Sequence, residues 1–501
     1  MSGEVNGKDP GSGSHMLRGS VWMIALRWSL RGIGVVSTIV LARLLTPSDF
    51  GVVAIAMIVV GFFEMLNRTG QGNALIRLTN PTREHYDTAW TISVLIGSAI
   101  AVGVVAAAPL TKIYFHEARS VVVMQCLALR ALLDGAQNIG TVDFRRDLRF
   151  KMFFHFQVST KIFQFVLTIT LALLLRNYWA LVGGIVGGQI ARTALSYVLS
   201  SYRPRFCLKA AREIWSFSIW TFVRSIATYF QDQVDNIAIG GIAGAPTMGR
   251  YTVAKDVGSS PTAEITEPII AALYPVMAKY QSDPAELRRL YLRTLGWSAM
   301  ICASTGVGIL LVARDLVSAL LGPQWMTIVP FIGWLALGTA AETLRSGAYA
   351  TLDVLGLPGI GARMQWVRLI LLAVAIIPVA YITRDLISIA VARFVMAALF
   401  IPTLYTAVGG RIGVSASQYI SALWRPFLAT GVMALAVGGL NLVFPTTGLL
   451  RLGADVVVGV ATYGASLLLF WDLSGRPMSA EQDLVKLLDQ GRARFRRLAS
   501  A

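Results

Sequence analysis

Residues 22–43 form an apolar run long enough to cross a lipid bilayer, yet the run contains two arginines, Arg27 and Arg31. Because they are four residues apart, they lie on one face of a helix. From a helix start near Gly19, a rise of about 1.5 Å per residue puts Arg31 roughly 18 Å deep in a hydrocarbon core about 30 Å thick. An arginine there costs on the order of 3 kcal/mol, so both side chains must face protein, water or an anion. We predict that this face lines a cavity for an anionic substrate.

Apolar runs of similar length recur along all 501 residues, of which 55% are hydrophobic and only 14% charged. A soluble chain carries roughly 25% charged residues, so this composition indicates a polytopic, all-α integral membrane protein. We predict about 14 transmembrane helices. The spans are expected near 20–42, 48–66, 87–110, 119–139, 152–175, 178–200, 213–242, 246–277, 291–312, 326–352, 360–382, 385–408, 424–444 and 450–471.

Basic residues concentrate in every second loop between these runs, as the positive-inside rule requires. The basic loops contain Arg68, Arg77 and Arg83, then Arg145, Arg146, Arg149 and Lys151, then Arg203, Arg205, Lys209 and Arg212, then Lys279, Arg288, Arg289 and Arg293. The net charge of +17 therefore reports topology, not nucleic-acid binding. We predict that both termini are cytoplasmic.

The two ends of the chain differ from the apolar body. Residues 1–15 are polar and rich in Gly and Ser, and we expect them to be disordered or tag-derived, with Met16 as the native start. In the tail at 474–501, the part from Ser479 onward combines a partial apolar stripe with five basic residues, which predicts a cytoplasmic amphipathic helix resting on anionic headgroups. Docking of a partner protein is the other possibility for this tail.

Spans seven and eight carry more charge than a lipid-facing helix tolerates. The charged residues are Arg224, Asp232, Asp235, Arg250, Lys255, Asp256, Glu264 and Glu267. Pro261 and Pro268 also predict a kink or local unwinding in span eight. Two interpretations stay open for Asp232, Asp235, Arg250 and Lys255. They either neutralise one another as pairs between helices or contact a substrate.

Further intramembrane charges are Glu64, Lys161, Arg192, Glu342, Arg345, Arg368 and Arg393. Simple pairing would need equal numbers of each sign, so the excess of cations predicts a watery, electropositive lumen. Glu342 and Arg345 are three residues apart and could pair on their own helix.

Enzyme and metal motifs are missing from the sequence. It contains no Ser/His/Asp arrangement, no phosphate-binding Gly-rich loop and no metal-ligand spacing of Cys or His. We predict a transporter without cofactor or metal, driven by an ion gradient, by its substrate's gradient or by another subunit.

Several segments resemble one transporter family. They are LARLLTPSDFG at 41–51, GQGNALIR at 70–77, FRRDLRFK at 144–151, ALVGG at 180–184, YRPRF at 202–206, VDNIAIG at 234–240 and GRYTVAKD at 249–256, followed by Tyr274 and Pro275. In this order they are similar to Wzx-type oligosaccharide flippases of the polysaccharide transporter family, in the multidrug/oligosaccharidyl-lipid/polysaccharide exporter superfamily. The resemblance runs from about Leu17 to at least Arg293.

The resemblance implies two six-helix lobes around a central cavity, an N-lobe at 16–200 and a C-lobe at 201–410, with two further helices at 411–473. It implies transport of undecaprenyl-diphosphate-linked oligosaccharides from the cytoplasmic to the periplasmic leaflet of the bacterial inner membrane by alternating access. A polymerase and a co-polymerase are the expected protein partners. Since a diphosphate needs several charge-assisted donors, the expected substrate contacts are Arg27, Arg31, Arg224, Lys255 and Arg345. Candidates for proton or sodium coupling are Glu64, Asp235, Glu264 and Glu267.

Four alternatives remain. A drug exporter of the same superfamily would carry cations, which an electropositive lumen disfavours. The peptidoglycan-precursor flippase lacks a segment like residues 143–150. A membrane-bound polymerase or glycosyltransferase would need catalytic acids or a large external loop, and a scaffold would transport nothing.

Overall fold

The computed structural model describes residues 10–67, 71–78, 80–214, 219–443 and 448–499. Within these ranges every regular element is helical. The α-helices are α1 (Pro10–Leu44), α2 (Pro47–Asn67), α3 (Gln71–Arg77), α4 (Arg83–Phe115), α5 (Arg119–Gly135), α6 (Asp143–Arg146), α7 (Phe150–Leu175), α8 (Trp179–Leu199), α9 (Ala211–Ile214), α10 (Ile219–Lys279), α11 (Pro284–Leu316), α12 (Val329–Leu344), α13 (Ser346–Val354), α14 (Pro358–Thr383), α15 (Leu386–Ile412), α16 (Ala416–Val443), α17 (Leu449–Leu473) and α18 (Ala480–Ala499).

The predicted all-α membrane fold is confirmed. Ten helical segments among the described residues are long and apolar enough to cross a membrane. The other four predicted spans fall on α5, on α8 and on the two parts of α10, which are shorter or more polar. The count of fourteen stays a prediction. Large apolar side chains such as Ile382, Leu442 and Leu450 are more than 80% exposed, which suits helices solvated by lipid.

Local signals in the sequence set several helix ends. At the start of α11, the Asp283 carboxylate accepts hydrogen bonds from the backbone N–H groups of Ala285 and Glu286, and Pro284 fills the first turn, where no N–H donor is needed. Arg384 ends α14 in a left-handed conformation, and Asp385 then caps α15. These short-range contacts fix the start of α11 at Pro284, seven residues before the predicted span 291–312, and the boundary between α14 and α15.

The chain forms two compact units. The first unit is Met1–Ser218 with Ala243–Gly249, and the second is Ile219–Ile242 with Arg250–Ala501. The first contains α1 to α9, and its α1 begins at Pro10, inside the segment 1–15 that we expected to lie outside the fold. Residues 1–9 lie outside the described residues.

A close helix crossing in the first unit explains two glycines of the family motifs. A Cβ atom on Gly51 of α2 would lie 1.7 Å from the carbonyl oxygen of Ala245, and one on Gly249 would lie 1.8 Å from that of Pro47. Beside this crossing, the Asp49 carboxylate accepts hydrogen bonds from the backbone N–H and the hydroxyl of Thr46. The TPSDFG motif therefore fixes the turn between α1 and α2.

Helix α10 reverses direction at Gly244. This residue has φ 72° and ψ 178°, a conformation that is essentially restricted to glycine. Within α10 it is the residue with non-helical dihedrals, so the unwinding expected at Pro261 and Pro268 does not occur there. A proline removes one hydrogen bond, and a bend can accommodate that loss without unwinding the helix.

In the second unit, α11 packs against α12 and α16, α12 against α15, and α16 against α17. The first turn of α18 docks on this group of helices. The buried carboxylate of Glu481 accepts a hydrogen bond from Arg425 Nε at 2.8 Å, and Ala480 packs with Met300, Ala429 and Leu467. The start of the predicted tail is thus anchored by a buried ion pair, which the sequence analysis did not foresee.

Candidate functional site

A buried carboxylate organises the second unit. The Asp235 side chain on α10 is fully buried and contacts three donor side chains as well as the backbone N–H of Asn236. Arg393 Nη1 lies 2.8 Å and Tyr251 Oη 2.7 Å from its Oδ2, while Lys255 Nζ lies 3.1 Å from its Oδ1. Because these groups supply both charge and hydrogen bonds, the carboxylate stays buried at a tolerable cost.

The turn at Gly244 makes this arrangement possible. Tyr251 and Asp235 are sixteen residues apart, which a continuous helix would separate by about 24 Å. Their hydroxyl and carboxylate are instead in direct contact, so the second part of α10 folds back along the first. Asp235, Tyr251 and Lys255 all come from the VDNIAIG and GRYTVAKD motifs.

A second carboxylate, Glu342 on α12, extends the network. Arg393 Nη2 lies 3.3 Å from both Glu342 oxygens, and Arg368 Nη2 also donates a hydrogen bond to Glu342. Arg393 therefore bridges two carboxylates. Arg345 is 1% exposed, and its Nε has no hydrogen-bond partner in the described chain. Glu342 is thus held by residues from α14 and α15, although the sequence suggested Arg345 as its partner.

The buried network carries a surplus of positive charge. Its cations are Lys255, Arg345, Arg368 and Arg393, and its carboxylates are those of Asp235 and Glu342. Asp232 lies beside the network and accepts a hydrogen bond from Lys255 through its carbonyl at 2.6 Å, but its own side chain is exposed. With Asp232, whose carboxylate interacts with Lys255, Glu342 and Arg393, four cations face three carboxylates, which leaves a surplus of one positive charge, as expected near an anion.

Arg224 forms a separate pair. Its Nη1 lies 2.8 Å from both carboxylate oxygens of Asp353 on α13, and both side chains are partly exposed. Asp353 did not attract attention in the sequence because it lies at the end of a short helix. Any anion that Arg224 binds has to share this guanidinium with Asp353.

A cavity of about 450 Å³ borders the network. Its walls come from the second part of α10 and from α12 and α13, and they include Ala263, Glu267, Ile270, Ala271, Tyr274, Thr339, Glu342, Thr343 and Ser346. Glu342 belongs to both the cavity wall and the network. A charge that enters the cavity therefore interacts electrostatically with Glu342 and, next to it, with Arg393 and Arg368. Glu264, one turn before Glu267, is half-buried.

The remaining candidate residues lie in the first unit. Arg27 and Arg31 are half-buried on α1. Glu64 on α2 contacts Arg130 Nη1 of α5 at 3.1 Å, and each side chain is 30% exposed. Arg130 was missed because it lies in a short helix in which it is the single charged residue between Arg119 and Asp134.

Hydrogen bonds hold two motif segments of the first unit against α4. The Tyr202 hydroxyl donates to the Asp87 carboxylate, which also accepts from the Arg205 backbone N–H at 2.9 Å. Burial and, to a smaller extent, the neighbouring Asp87 carboxylate raise the pKa of Tyr202. The Tyr86 hydroxyl donates to Asp143, just before the FRRDLRFK segment. The YRPRF and FRRDLRFK motifs therefore fix loops against α4, and their basic residues need not bind substrate.

Comparison with known sequences identifies the family. The family described as polysaccharide biosynthesis protein matches residues 40–330, more than half of the chain. The chain belongs to this family. The succinoglycan biosynthesis transport protein ExoT of Rhizobium meliloti is 26% identical over 500 residues, covering 96% of each chain. The lipopolysaccharide biosynthesis protein WzxC of Escherichia coli is 22% identical and covers 84% of this chain and 87% of its own.

Solved structures show the same fold at low sequence identity. The lipid II flippase MurJ in an inward closed conformation has a TM-score of 0.71 and 11% identity, covering 91% of this chain and 99% of its own. An inward-facing multidrug resistance MATE transporter has a TM-score of 0.57 and 14% identity, covering 77% and 96%. The predicted family is confirmed, and this polysaccharide biosynthesis protein is a multi-pass membrane protein related to transport proteins rather than to enzymes.

Metal chemistry finds no support in the described part of the chain. No three His, Cys, Asp or Glu side chains there come together as metal ligands, and Cys126, Cys207 and Cys302 are free thiols. The absence of a cofactor stays a prediction, as does coupling to protons or sodium ions.

Proposed function

We propose that this protein is a flippase that moves undecaprenyl-diphosphate-linked oligosaccharides from the cytoplasmic to the periplasmic leaflet of the bacterial inner membrane. The observation that carries the proposal is the surplus of buried cations beside the cavity of the second unit. The relatives' names, which refer to succinoglycan and lipopolysaccharide biosynthesis, support the polysaccharide part. Alternating access, cytoplasmic termini and cooperation with a polymerase and a co-polymerase belong to the same proposal.

Electrostatics supports an anionic substrate. At an effective dielectric constant of about 20, two unit charges about 8 Å apart interact with roughly 2 kcal/mol. One surplus positive charge therefore attracts each negative charge of a diphosphate by roughly 2 kcal/mol at that distance, even without direct contact. Arg345 and Arg368 are buried and act as fixed charges in this conformation, whereas Lys255 keeps 19% of its side chain exposed, and direct contact of Arg345 with the substrate stays a prediction.

Direct phosphate contacts are proposed for the accessible cations of each unit. In the first unit these are Arg27 and Arg31, whose half-buried position suits contact with a phosphate that crosses the bilayer. In the second unit they are Lys255 and Arg224, each of which would exchange part of a carboxylate contact for a phosphate oxygen.

The acids proposed for ion coupling differ in their surroundings. Asp235 is held by three donor side chains, so its protonation would release Arg393 and Lys255 from their shared partner. Glu267 lies exposed on the cavity wall, where a proton can reach it directly. We therefore rank Glu267 above Asp235, Glu64 and Glu264 as the residue that exchanges a proton with each transport cycle.

A second candidate function follows from the cavity wall itself. Two carboxylates, Glu267 and Glu342, face the same cavity, and such a pair favours an organic cation as in a drug exporter. The surplus of positive charge behind Glu342 weakens that attraction, which is why we prefer the anionic substrate.

Deleting the protein from its natural host tests the proposal. We expect polymer to disappear and the lipid-linked oligosaccharide to accumulate in the cytoplasmic leaflet. Accumulation in the periplasmic leaflet would indicate a polymerase, and no accumulation at all would contradict a flippase. Complementation with Lys255→Met should restore little polymer at equal membrane levels. Lys255→Arg and the control Lys279→Met, on the exposed end of the same helix, should restore it.

A further inference from the structure

Asp455 on α17 is a buried carboxylate without hydrogen-bond donors. Its side chain is fully buried, and neither of its oxygens accepts a hydrogen bond from the residues that the structure describes. Buried carboxylates ordinarily accept several hydrogen bonds, because an ionised group without donors is among the most costly groups to bury. The Asp455 carboxylate therefore lacks the hydrogen bonds that would stabilise its ionised form.

The cation beside Asp455 is only partly available to it. Arg451, one turn earlier, has its Nη2 3.2 Å from Asp455 Oδ1, but the same Nη2 donates a hydrogen bond to Asn441 Oδ1 on α16 at 2.6 Å. The Arg451 Nε is buried and also lacks an acceptor among the described residues. The guanidinium is thus shared between the Asn441 amide and Asp455, where it forms an ion pair with Oδ1 and leaves Oδ2 without a donor among the described residues.

A second acid makes the site more negative. Asp315 lies at the end of α11, is 7% exposed, and accepts a hydrogen bond from the Gly448 backbone N–H at 3.3 Å. Its charge repels that of Asp455. The charged groups that face Asp455 from the described parts of α11, α16 and α17 are therefore Asp315 and Arg451. Two carboxylates and one guanidinium leave a surplus of one negative charge.

We propose that Asp455 is a proton-binding site. One proton neutralises the surplus charge and turns Asp455 from an acceptor without donors into a donor that can bond to a neighbouring oxygen. A proton suits the site better than a metal cation, because the Arg451 guanidinium already stands 3.2 Å from one carboxylate oxygen. Asp455 is six residues after the first residue of α17, so it lies only about 9 Å below the helix end. A proton can thus enter from that side.

This site is separate from the network around Asp235, since Asp315, Arg451 and Asp455 belong to α11 and α17. Asp455 was not singled out in the sequence, although a carboxylate inside the predicted span 450–471 is the signal that could have found it. If the proton is used to drive transport, that use rests on the proposed function, whereas proton binding itself does not.

Infrared spectroscopy of the full-length protein in lipid nanodiscs tests the site. At neutral pH we expect the carbonyl-stretch band of one protonated carboxyl group that is absent from Asp455→Asn and kept in Asp472→Asn. Asp472 serves as the matched control because it is an exposed aspartate on the same helix. Asp455→Asn resembles the protonated form, so it should fold, and its melting temperature at pH 7 should lie within a few degrees of that of the wild type. As the pH rises, the melting temperature of the wild type should fall more than that of Asp455→Asn.

Two outcomes would overturn the proposal. One is identical spectra of the wild type and Asp455→Asn in the carboxyl region, which would mean that Asp455 is ionised at neutral pH. The other is release of the proton on adding sodium ions at constant pH, which would assign the site to a metal cation. Because the band reports occupancy without transport, its absence leaves the flippase proposal intact, and a failure of lipid translocation leaves the band in place.

Discussion

Replacing Arg393 by methionine tests the network on which the second unit is built. The substitution keeps most of the side-chain volume but removes the guanidinium that lies 2.8 Å from Asp235 and 3.3 Å from Glu342. Breaking a buried ion pair by removing one partner costs about 3–5 kcal/mol. Asp235 keeps Lys255 and Glu342 keeps Arg368, so we expect the lower end, about 3 kcal/mol. This corresponds to a roughly 100-fold change in the unfolding equilibrium constant.

Reversible unfolding in mixed micelles, followed by tryptophan fluorescence, measures this loss. The control is Arg363→Met on α14, an exposed arginine whose replacement should change the free energy of unfolding by no more than about 0.5 kcal/mol. The double variant Arg393→Met/Asp235→Asn should lose less free energy of unfolding than the sum of the losses in the two single variants, because both substitutions remove the same contact. If Arg393→Met is as stable as the control variant, the network does not hold the second unit together.

Two further substitutions test the packing of each unit. Gly51→Ala puts a methyl group against the Ala245 carbonyl and should lower the free energy of unfolding by about 1–3 kcal/mol, measured by thermal unfolding. The control is Gly34→Ala, which should have no such effect because open space surrounds Gly34. Arg425→Met removes the buried partner of Glu481, so limited trypsin digestion should release the C-terminal helix several-fold faster than in the wild type. An unchanged digestion rate would show that other contacts hold this helix.

Local sequence signals were enough to predict most helix positions. The predicted spans 48–66 and 360–382 begin within two residues of α2 and α14, which start at Pro47 and Pro358, and the break between the predicted spans 213–242 and 246–277 falls at Gly244. These signals act within a few residues, so hydropathy and capping patterns reveal them directly. The count of fourteen spans stays a prediction because α5, α8 and α10 are shorter or contain polar residues.

Partners in the ionic network could not be predicted because they are distant in sequence. Asp235 and Lys255 were both noted in the sequence, and the structure brings them together. The third member, Arg393, is 158 residues from Asp235, and its charge alone does not reveal which carboxylate it contacts. Asp455 is a different case. Its position in an apolar span is visible in the sequence, but its lack of hydrogen-bond donors is visible only in the structure.

Translocation in reconstituted vesicles tests the flippase account most directly. Vesicles that contain the purified protein receive a fluorescent undecaprenyl-diphosphate oligosaccharide in one leaflet, and a membrane-impermeant quencher reports its arrival in the other. The account predicts transfer well above the rate of protein-free vesicles, and slower transfer by Lys255→Met than by Lys255→Arg. Transfer equal to that of protein-free vesicles, together with transport of an organic cation by the same vesicles, would contradict it.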